Sequence, residues 1–224
     1  MSARAVARPH SDAKLVALER AVVDHYESTL RRHGPTARGM DWKDEASQRL
    51  RFAVLCEGCD LRGKSVHEIG AGAGHLLDFL AERGFDSAYS GSDLSEKMVA
   101  VARVRHPEAA FEQRDLLRDP PVERFDAVLA SGVFNVKLHH SDEAWWNYVQ
   151  RMIRAMFAQC REVTAFNLMT DRVDFRSENL FYANPAAVLE FCRTELSRYV
   201  SLRLDYPLYE YTVHVYREPK TSGA

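Results

Sequence analysis

The chain has 224 residues, of which 46% are hydrophobic, and a formal net charge of −2 at pH 7 with both signs interspersed. This length is enough for one complete core, and the mixed charges exclude the basic face of a nucleic-acid-binding protein. No run of about 18 apolar residues predicts a membrane span, and Met1 to Pro9 lack the apolar run of a signal peptide. We therefore expect a single, soluble, cytoplasmic domain that binds neither nucleic acid nor membranes.

Two helices are predicted before the first strand, one near Ala13 to His33 and the other near Asp44 to Cys56. The connection between them mixes Gly and Pro with Trp42, and loops of this composition often act as lids. The second helix leads into a C-x-x-C pair formed by Cys56 and Cys59, but the other two cysteines lie far away in the sequence. A four-thiol zinc site is therefore not predicted.

A glycine-rich loop within residues 65–80, SVHEIGAGAGHLLDFL, is the most informative stretch. The run from Ser65 to Ile69 is typical of a buried strand, and a helical pattern begins at His75. The turn between them contains three alternating glycines, Gly70, Gly72 and Gly74. Glycine allows a ligand to approach the backbone closely, and the following helix offers free N–H groups. The loop is therefore predicted to bind a nucleotide.

The residues around these glycines narrow the choice of ligand. A dinucleotide fingerprint has a further glycine where this chain has His75, so the motif is GxGxG and not GxGxxG. Glu68, two residues before the first glycine, would place a carboxylate where a pyrophosphate should lie, but it suits a cationic group. We therefore predict a ligand that carries an ammonium group and has no phosphate at this position.

A second acid ends the next predicted strand, which runs from Ala88 to Asp93, and Ser95 caps the helix that follows. In an open α/β sheet, ligands bind outside the carboxyl ends of the strands. An acid roughly 20 residues after the glycines is placed to accept hydrogen bonds from two ribose hydroxyls. NAD-binding proteins have the same feature, so Asp93 alone does not distinguish the two classes of ligand.

The rest of the chain is predicted to alternate strands and helices. In chain order these are strands near 111–116 and 124–134, a helix over 142–159, a strand over 162–168, a helix opened by Pro185, and strands near 198–205 and 209–217. The last two strands are predicted to form a hairpin. An irregular stretch of roughly 15 residues, 169–184, is long for a connection in a compact domain and indicates a functional segment.

Four motifs, VHEIGAGAG, SGSDLSEKMVAVAR, QRDLL and RFDAVLASGVF, occur in the order and at the intervals of a known family. Over about residues 64 to 135 the chain resembles the class I S-adenosylmethionine-dependent methyltransferases, and elsewhere the likeness lies in element order only. The resemblance implies a Rossmann-like α/β fold whose seven-stranded sheet is mostly parallel with an antiparallel C-terminal strand. Helices would cover both faces, with an N-terminal helical extension. The implied cofactor is S-adenosyl-L-methionine.

The resemblance also implies roles for particular residues. The three glycines would lie against the methionine and ribose, with Glu68 near the methionine amine and Asp93 on the ribose hydroxyls. The remaining implied contacts are Leu94 and Met98 flanking the adenine, Asp115 accepting from its amino group, Leu116 donating a backbone N–H to the ring, and Ser131 bordering the transferred methyl group. Residues 132–135 would line the floor of the substrate pocket.

In related methyltransferases the N-terminal helices cover the cofactor. Five residues are candidates for this role here: Tyr26, Thr36, Trp42, Gln48 and Arg51. Arg51 would pair with the methionine carboxylate, and a solvated arginine on the helix surface is an equally open alternative. The single domain, residues 1–224, would thus consist of a helical lid (1–60), a cofactor-binding half (61–135) and an acceptor-binding half (136–224).

A catalytic base is needed only if the acceptor must lose a proton, because a sulfonium methyl group is already electrophilic. His139 and His140 follow the fourth strand, and one of them is the first candidate, although adjacent histidines in a polar loop often face solvent. Tyr182 is the next candidate, with Asp171 and Tyr209 in reserve. No acidic set resembles the magnesium site of catechol-type enzymes, so we expect no metal.

The predicted function is methyl transfer to an oxygen or nitrogen of a small metabolite or sugar. The Asn/Asp-Pro-Pro-Tyr motif of amide and adenine-amino methyltransferases is missing after the fourth strand, where Ser-Gly-Val-Phe stands, and this disfavours those activities. Two alternatives stay open: a non-catalytic partner protein that binds S-adenosylmethionine, and an RNA or protein methyltransferase. Neither the acceptor nor the oligomeric state follows from the sequence.

Overall fold

Residues 12–220 are described by this computed structural model, and they form six α-helices, one 3₁₀ turn and eight strands. The helices are α1 (Asp12–His33), α2 (Glu45–Glu57), α3 (His75–Glu82), α4 (Glu96–Arg105), α5 (Asp142–Gln159) and α6 (Pro185–Glu195), and the 3₁₀ turn, Arg38–Met40, lies between α1 and α2. The strands are β1 (Ser65–Ile69), β2 (Ala88–Asp93), β3 (Ala110–Gln113), β4 (Phe125–Ala130), β5 (Cys160–Thr170), β6 (Tyr182–Ala183), β7 (Tyr199–Arg203) and β8 (Glu210–Tyr216). The predicted bounds of β2 and α5 are confirmed, and most other ends differ by a few residues.

The strands form one sheet in the order β3-β2-β1-β4-β5-β8-β7. Strand β8 runs antiparallel to both of its neighbours, and every other described pair is parallel. The predicted α/β fold with an antiparallel C-terminal strand is therefore confirmed, including the β7–β8 hairpin.

An eighth strand was not predicted. Strand β5 continues to Thr170, and its last two residues pair with β6 inside the stretch that was expected to be irregular. Two residues are too few to produce a recognisable alternation of apolar and polar side chains, so the sequence carries no signal for β6.

Strand order reverses at the centre of the sheet, because β1 has β2 on one side and β4 on the other. At such a point the loops that leave the two strands move apart on opposite sides of the sheet and leave a crevice at the carboxyl ends. The glycine loop follows β1, Asp93 ends β2 and Ser131 follows β4. The topology therefore brings these three segments to one edge.

Helix α5 illustrates how the core is formed. Its residues Trp145, Val149, Ile153 and Met156 recur every three or four positions, which places them on one face of the helix, and all four are buried against the sheet. The indole N–H of Trp145 donates to the carbonyl of Phe134, 2.8 Å away. This helix therefore fixes the segment that follows β4.

Within residues 12–220, no helix is long and apolar enough to cross a membrane.

Two buried histidines are expected to make the stability of the protein depend on pH. His67 lies between the hydroxyls of Ser90 and Ser92, and Nε2 of His214 lies 3.0 Å from the carbonyl of Leu55. Burial lowers the pKa of both rings to about 4, from an ordinary value of 6.5. Folding therefore favours the neutral rings, and this contribution to stability is complete above pH 6.5 and is lost as the pH falls through about 4.

We expect the unfolding temperature to fall as the pH is lowered from 6.5 to 4, and to fall less steeply for His67→Gln than for the unchanged protein. Thermal unfolding followed by circular dichroism measures this slope. His33→Gln, at the exposed end of α1, is the control. Equal slopes for all three proteins would contradict the prediction.

Candidate functional site

A cavity opens at the carboxyl ends of β1, β2 and β4 and contains about 1030 Å³ of space, part of it continuous with solvent. All but two of the twelve cofactor residues expected from the resemblance line it: Trp42, Glu68, Gly70, Gly72, Asp93, Leu94, Met98, Asp115, Leu116 and Ser131. The two that do not line it are Gly74 and Arg51. Gly74 immediately precedes α3, and a Cβ on it would lie 2.8 Å from the imidazole ring of His106.

The glycine loop is held open by hydrogen bonds to the neighbouring strand. The N–H groups of Gly70 and Ala71 both donate to the carbonyl of Ser92, at 2.8 and 3.0 Å. Gly72 has φ of +54°, and a Cβ on it would lie 2.8 Å from the sulfur of Met40. A side chain at position 72 is therefore disfavoured by the backbone conformation, and it would also displace the end of the Met40 side chain.

Asp93 links this loop to helix α4. Its Oδ2 accepts from the N–H of Gly72 at 2.9 Å, and its Oδ1 accepts from the N–H of Ser95 at 2.8 Å. Burial raises the pKa of Asp93, although these N–H groups act in the opposite direction. Each carboxylate oxygen has two lone pairs, so the carboxylate retains acceptor capacity for hydroxyls in the cavity. The predicted ligand-binding acid thus also organises the loop, a role that its sequence position does not reveal.

Glu68 is only 3% exposed, lies near the carboxyl end of β1 and lines the cavity. The phenol of Tyr89 donates to its Oε2. Burial raises the pKa of Glu68 to about 8, and the nearby Asp93 contributes to this rise while the bond from Tyr89 opposes it. A buried carboxyl that is paired with a phenol gains a favourable charge interaction when a cation enters.

The N-terminal elements cover the cavity. Helix α1 contributes Glu19, Val22, Val23 and Tyr26 to its lining, the connection contributes Met40 and Trp42, and α2 contributes Gln48 and Phe52. Of the five residues predicted to close over the cofactor, Tyr26, Trp42 and Gln48 line the cavity, whereas Thr36 and Arg51 do not.

Several hydrogen bonds attach this cover to the rest of the protein. Glu27 on α1 accepts from the hydroxyl of Ser95 at 2.9 Å and from Lys97 at 2.5 Å. Nε2 of His75 lies 3.2 Å from the carbonyl of Pro35. The histidine that replaces a glycine of the dinucleotide fingerprint therefore contacts the covering loop.

One pair at the cavity was missed by sequence reasoning. Glu19 on α1 is 4% exposed and pairs with Arg118, which also contacts the carboxylate of Asp115. Glu19 and Arg118 are separated by 99 positions, and no motif contains either of them. Asp115 also accepts from the N–H of Leu117 at 2.9 Å, so it shapes the turn after β3 in addition to facing the cavity.

The structure does not bring the predicted catalytic residues to the cavity. His139 is exposed beside His140, with ring centroids 4.4 Å apart, and burial lowers the pKa of His140. The N–H groups of Lys137 and Leu138 donate to the carbonyl of Asn179, and neither histidine lines the cavity.

Tyr182 is likewise outside the cavity. It lies on β6, where its hydroxyl accepts from the N–H of Ser177 at 2.9 Å, and the guanidinium of Arg176 lies over its ring at 5.2 Å. Within residues 12–220, no group of three or more His, Cys, Asp or Glu side chains could hold a metal ion.

Substitution of Gly132 is expected to have a measurable effect on the cavity wall. It has φ of +74°, and a Cβ on it would lie 2.3 Å from the Trp42 ring. We expect Gly132→Ala to displace Trp42 and weaken cofactor binding about tenfold or more, as measured by calorimetry, in addition to a backbone cost of about 1 kcal/mol. Gly63→Ala is the matched control, because Gly63 has φ of +66° and nothing within 4 Å. Equal cofactor affinities for the two variants would contradict this prediction.

Comparison with known proteins gives the family. Residues 66–168 match a family model described as a methyltransferase domain. A Mycobacterium tuberculosis protein that is named as a methyltransferase is 36% identical to this chain over 157 residues, which cover 67% of this chain and 92% of that protein. The chain belongs to the class I S-adenosylmethionine-dependent methyltransferases. This methyltransferase is an enzyme, and its cofactor is S-adenosylmethionine.

Solved structures of other methyltransferases have the same fold. Magnesium protoporphyrin IX methyltransferase from Synechocystis PCC 6803, solved with bound S-adenosylmethionine, aligns with a TM-score of 0.60 at 17% identity. The alignment covers 95% of this chain and 100% of that chain. The 1,6-didemethyltoxoflavin-N1-methyltransferase of Burkholderia thailandensis, solved with its acceptor and S-adenosylhomocysteine, has a TM-score of 0.59 at 19% identity, covering 98% of this chain and 94% of its own. At these identities the likeness concerns the fold.

Proposed function

We propose that this methyltransferase transfers the methyl group of S-adenosylmethionine to an oxygen or nitrogen of a small metabolite or sugar. The observation that carries the proposal is the cover that α1, α2 and their connection form over the cavity. A cavity covered in this way favours a small acceptor over a nucleic acid or a protein chain. The acceptor named for the Burkholderia thailandensis enzyme is also a small molecule.

The residues present fit this cofactor. Glu68 would lie near the methionine amine, because its buried carboxyl is paired with a phenol and gains from a cation. Asp93 would accept from the ribose hydroxyls with the lone pairs that its backbone contacts leave free. The remaining proposed contacts are the glycine loop on the methionine and ribose, Leu94 and Met98 on the adenine faces, Asp115 and Leu116 on its edge, and Ser131 and Trp42 beside the methyl group.

S-adenosylmethionine supplies a methyl group that is already electrophilic. The protein therefore has to orient the acceptor in line with that group and exclude water. Trp42 and the backbone of Gly132 are in contact at the cavity wall, and we propose that they exclude solvent there. His139, His140 and Tyr182 lie outside the cavity, so we propose none of them as the base in this arrangement.

Two measurements test the proposed function. Isothermal titration calorimetry should detect binding of S-adenosylmethionine and of S-adenosylhomocysteine. A panel of hydroxyl- and amine-bearing metabolites and sugars, assayed by formation of S-adenosylhomocysteine, should then contain acceptors. Turnover with RNA or protein but with no member of the panel would contradict the choice of a small acceptor.

The proposed location is the cytoplasm, which agrees with the presence of four free cysteines.

A further inference from the structure

A buried ion pair joins the N-terminal cover to the C-terminal strand. Nε of Arg51 on α2 lies 2.9 Å from both carboxylate oxygens of Glu210, and its Nη2 lies 2.5 Å from Oε1. Nη1 donates to the carbonyl of Ser47 at 2.8 Å. The two side chains are 11% and 4% exposed. Hydrogen bonds to both oxygens of Glu210 and to the carbonyl of Ser47 therefore hold the planar guanidinium in one orientation.

Glu210 connects this pair to the segment that follows β4. The side-chain amide of Asn167 donates to Oε2 of Glu210 at 2.6 Å, and its carbonyl oxygen accepts from the N–H of Gly132 at 2.8 Å. Gly132 directly follows Ser131, which lines the cavity. The carboxylate of Glu210 thus positions the backbone at the cavity wall through one intervening side chain.

Arg51 makes a second connection to the same wall. Its guanidinium carbon lies 4.3 Å from the centre of the Trp42 ring, and the edge of that ring rests on Gly132. Trp42 lines the cavity, whereas Arg51 does not. The contacts Arg51–Glu210–Asn167–Gly132–Trp42–Arg51 therefore form a closed ring, which we call the wall ring.

The wall ring is not explained by stability or by acid–base chemistry. Burying two charges costs desolvation energy that their attraction often fails to recover, so apolar residues would serve stability at least as well. Glu210 already accepts from Arg51 and Asn167 on both oxygens, which leaves it poorly suited as a base. The ion pair fixes the orientation of the guanidinium plane and, through it, the orientation of the Trp42 ring. Apolar residues would not reproduce this effect.

We propose that Arg51 and Glu210 are positioning residues that hold Trp42 against Gly132 and thereby slow the release of the cofactor from the covered cavity. This inference rests on the proposed placement of the cofactor beside Trp42. Arg51 acts through Trp42 and does not itself contact the methionine carboxylate.

The dissociation rate of S-adenosylhomocysteine tests this role. We expect Arg51→Lys, measured on the full chain by surface plasmon resonance, to release this ligand about tenfold faster, because lysine keeps the charge but loses the planar fork. Arg49→Lys is the matched control. Arg49 lies on the same helix, is also bidentate to a glutamate, Glu82, and lies 5.6 Å from the ring of Phe79, but it faces away from the cavity. It should change the rate less than about twofold.

A double variant separates positioning from general loss of structure. Trp42→Leu alone should also release the ligand about tenfold faster, and Arg51→Lys added to Trp42→Leu should give little further increase, because the two residues act in one pathway. Independent effects that multiply in the double variant would overturn the proposal. So would an unchanged rate in Arg51→Lys together with a lowered unfolding temperature, since that combination describes a purely structural pair.

A second variant covers the possibility that Arg51→Lys does not fold. Glu210→Gln retains the shape of the side chain and a carbonyl acceptor, and it is expected to give the same increase in rate and the same lack of additivity with Trp42→Leu. Failure of the unchanged protein to bind S-adenosylhomocysteine would refute the proposed cofactor site itself. Normal binding by the unchanged protein with unaltered rates in both variants would refute only the role of the wall ring.

Discussion

Asp93→Ala is expected to lower the affinity for S-adenosylmethionine by at least about 100-fold, because two hydrogen bonds to a charged acceptor are worth roughly 3 kcal/mol or more together. The variant also loses the acceptor for the N–H groups of Gly72 and Ser95, which lie 2.9 and 2.8 Å from the two carboxylate oxygens. Both the ribose contact and the shape of the glycine loop would be affected. Isothermal titration calorimetry measures the loss directly.

Asp126 provides a matched control for this experiment. It also accepts from a backbone N–H, that of Ser65 at 2.9 Å, and from the Ser65 hydroxyl at 2.8 Å, but it lies near the amino end of β4. Asp126→Ala should therefore lose some stability and keep its affinity for the cofactor. If Asp93→Ala binds the cofactor as tightly as Asp126→Ala, Asp93 does not contact the ribose.

The second large effect is expected in the pH dependence of cofactor binding. Burial raises the pKa of Glu68 to about 8, so its carboxyl is mostly neutral at pH 7 in the absence of ligand. A methionine amine beside it favours the ionised form, and ligand binding should then release a proton. The affinity for S-adenosylhomocysteine should rise about tenfold per pH unit up to about pH 8, above which Glu68 is already ionised without ligand.

Calorimetry at pH 7 in two buffers of different ionisation enthalpy measures the proton release. The unchanged protein should release close to one proton per ligand, and Glu68→Gln should release almost none and lose the rise in affinity. Identical proton release by the two proteins would show that another group titrates. Asp93 and Tyr89 are the titratable neighbours that contribute to the shift at Glu68.

The same carboxyl has a predictable effect on stability without ligand. Its pKa is raised in the folded protein from 4.5 to about 8, so the folded state binds more protons than the unfolded state between these values. This contribution to stability is therefore complete below pH 4.5 and is lost as the pH rises through about 8. We expect ligand-free Glu68→Gln to unfold at a higher temperature than the unchanged protein at pH 8. Thermal denaturation curves of both proteins, recorded with and without ligand, measure the unfolding temperatures that test this.

The parts of the fold and site that sequence predicts well depend on local signals. The strand that ends at Ile69, the alternating glycines and the helix from His75 lie within 16 residues of one another, and their pattern was sufficient to predict a loop that lines the cavity. Asp93 was predicted at the cavity for a similar reason, because it ends a short strand that is followed by the Ser95 cap. Parallel topology then requires that these segments meet at the same edge of the sheet.

Interactions between distant parts of the chain were not predictable in this way. Arg51 and Glu210 are 159 positions apart, and nothing in the helix around Arg51 indicates a buried glutamate as its partner rather than a ligand carboxylate. His139 and His140 do follow the fourth strand, as expected, but the direction of the loop after β4 depends on its backbone contacts with Asn179. A position after a strand therefore identified the right edge of the sheet without showing which side chains enter the cavity.

The reversed direction of β8 has a consequence for how the protein matures on the ribosome. Because β8 runs antiparallel to β5, its first residue, Glu210, lies opposite Met169 near the carboxyl end of β5. Strands β1 to β4 pair with one another within a continuous part of the chain, but the ion pair of Arg51 requires a residue that is synthesised much later. Arg51 therefore remains without this partner during most of translation, and the wall ring closes only when residue 210 has left the exit tunnel.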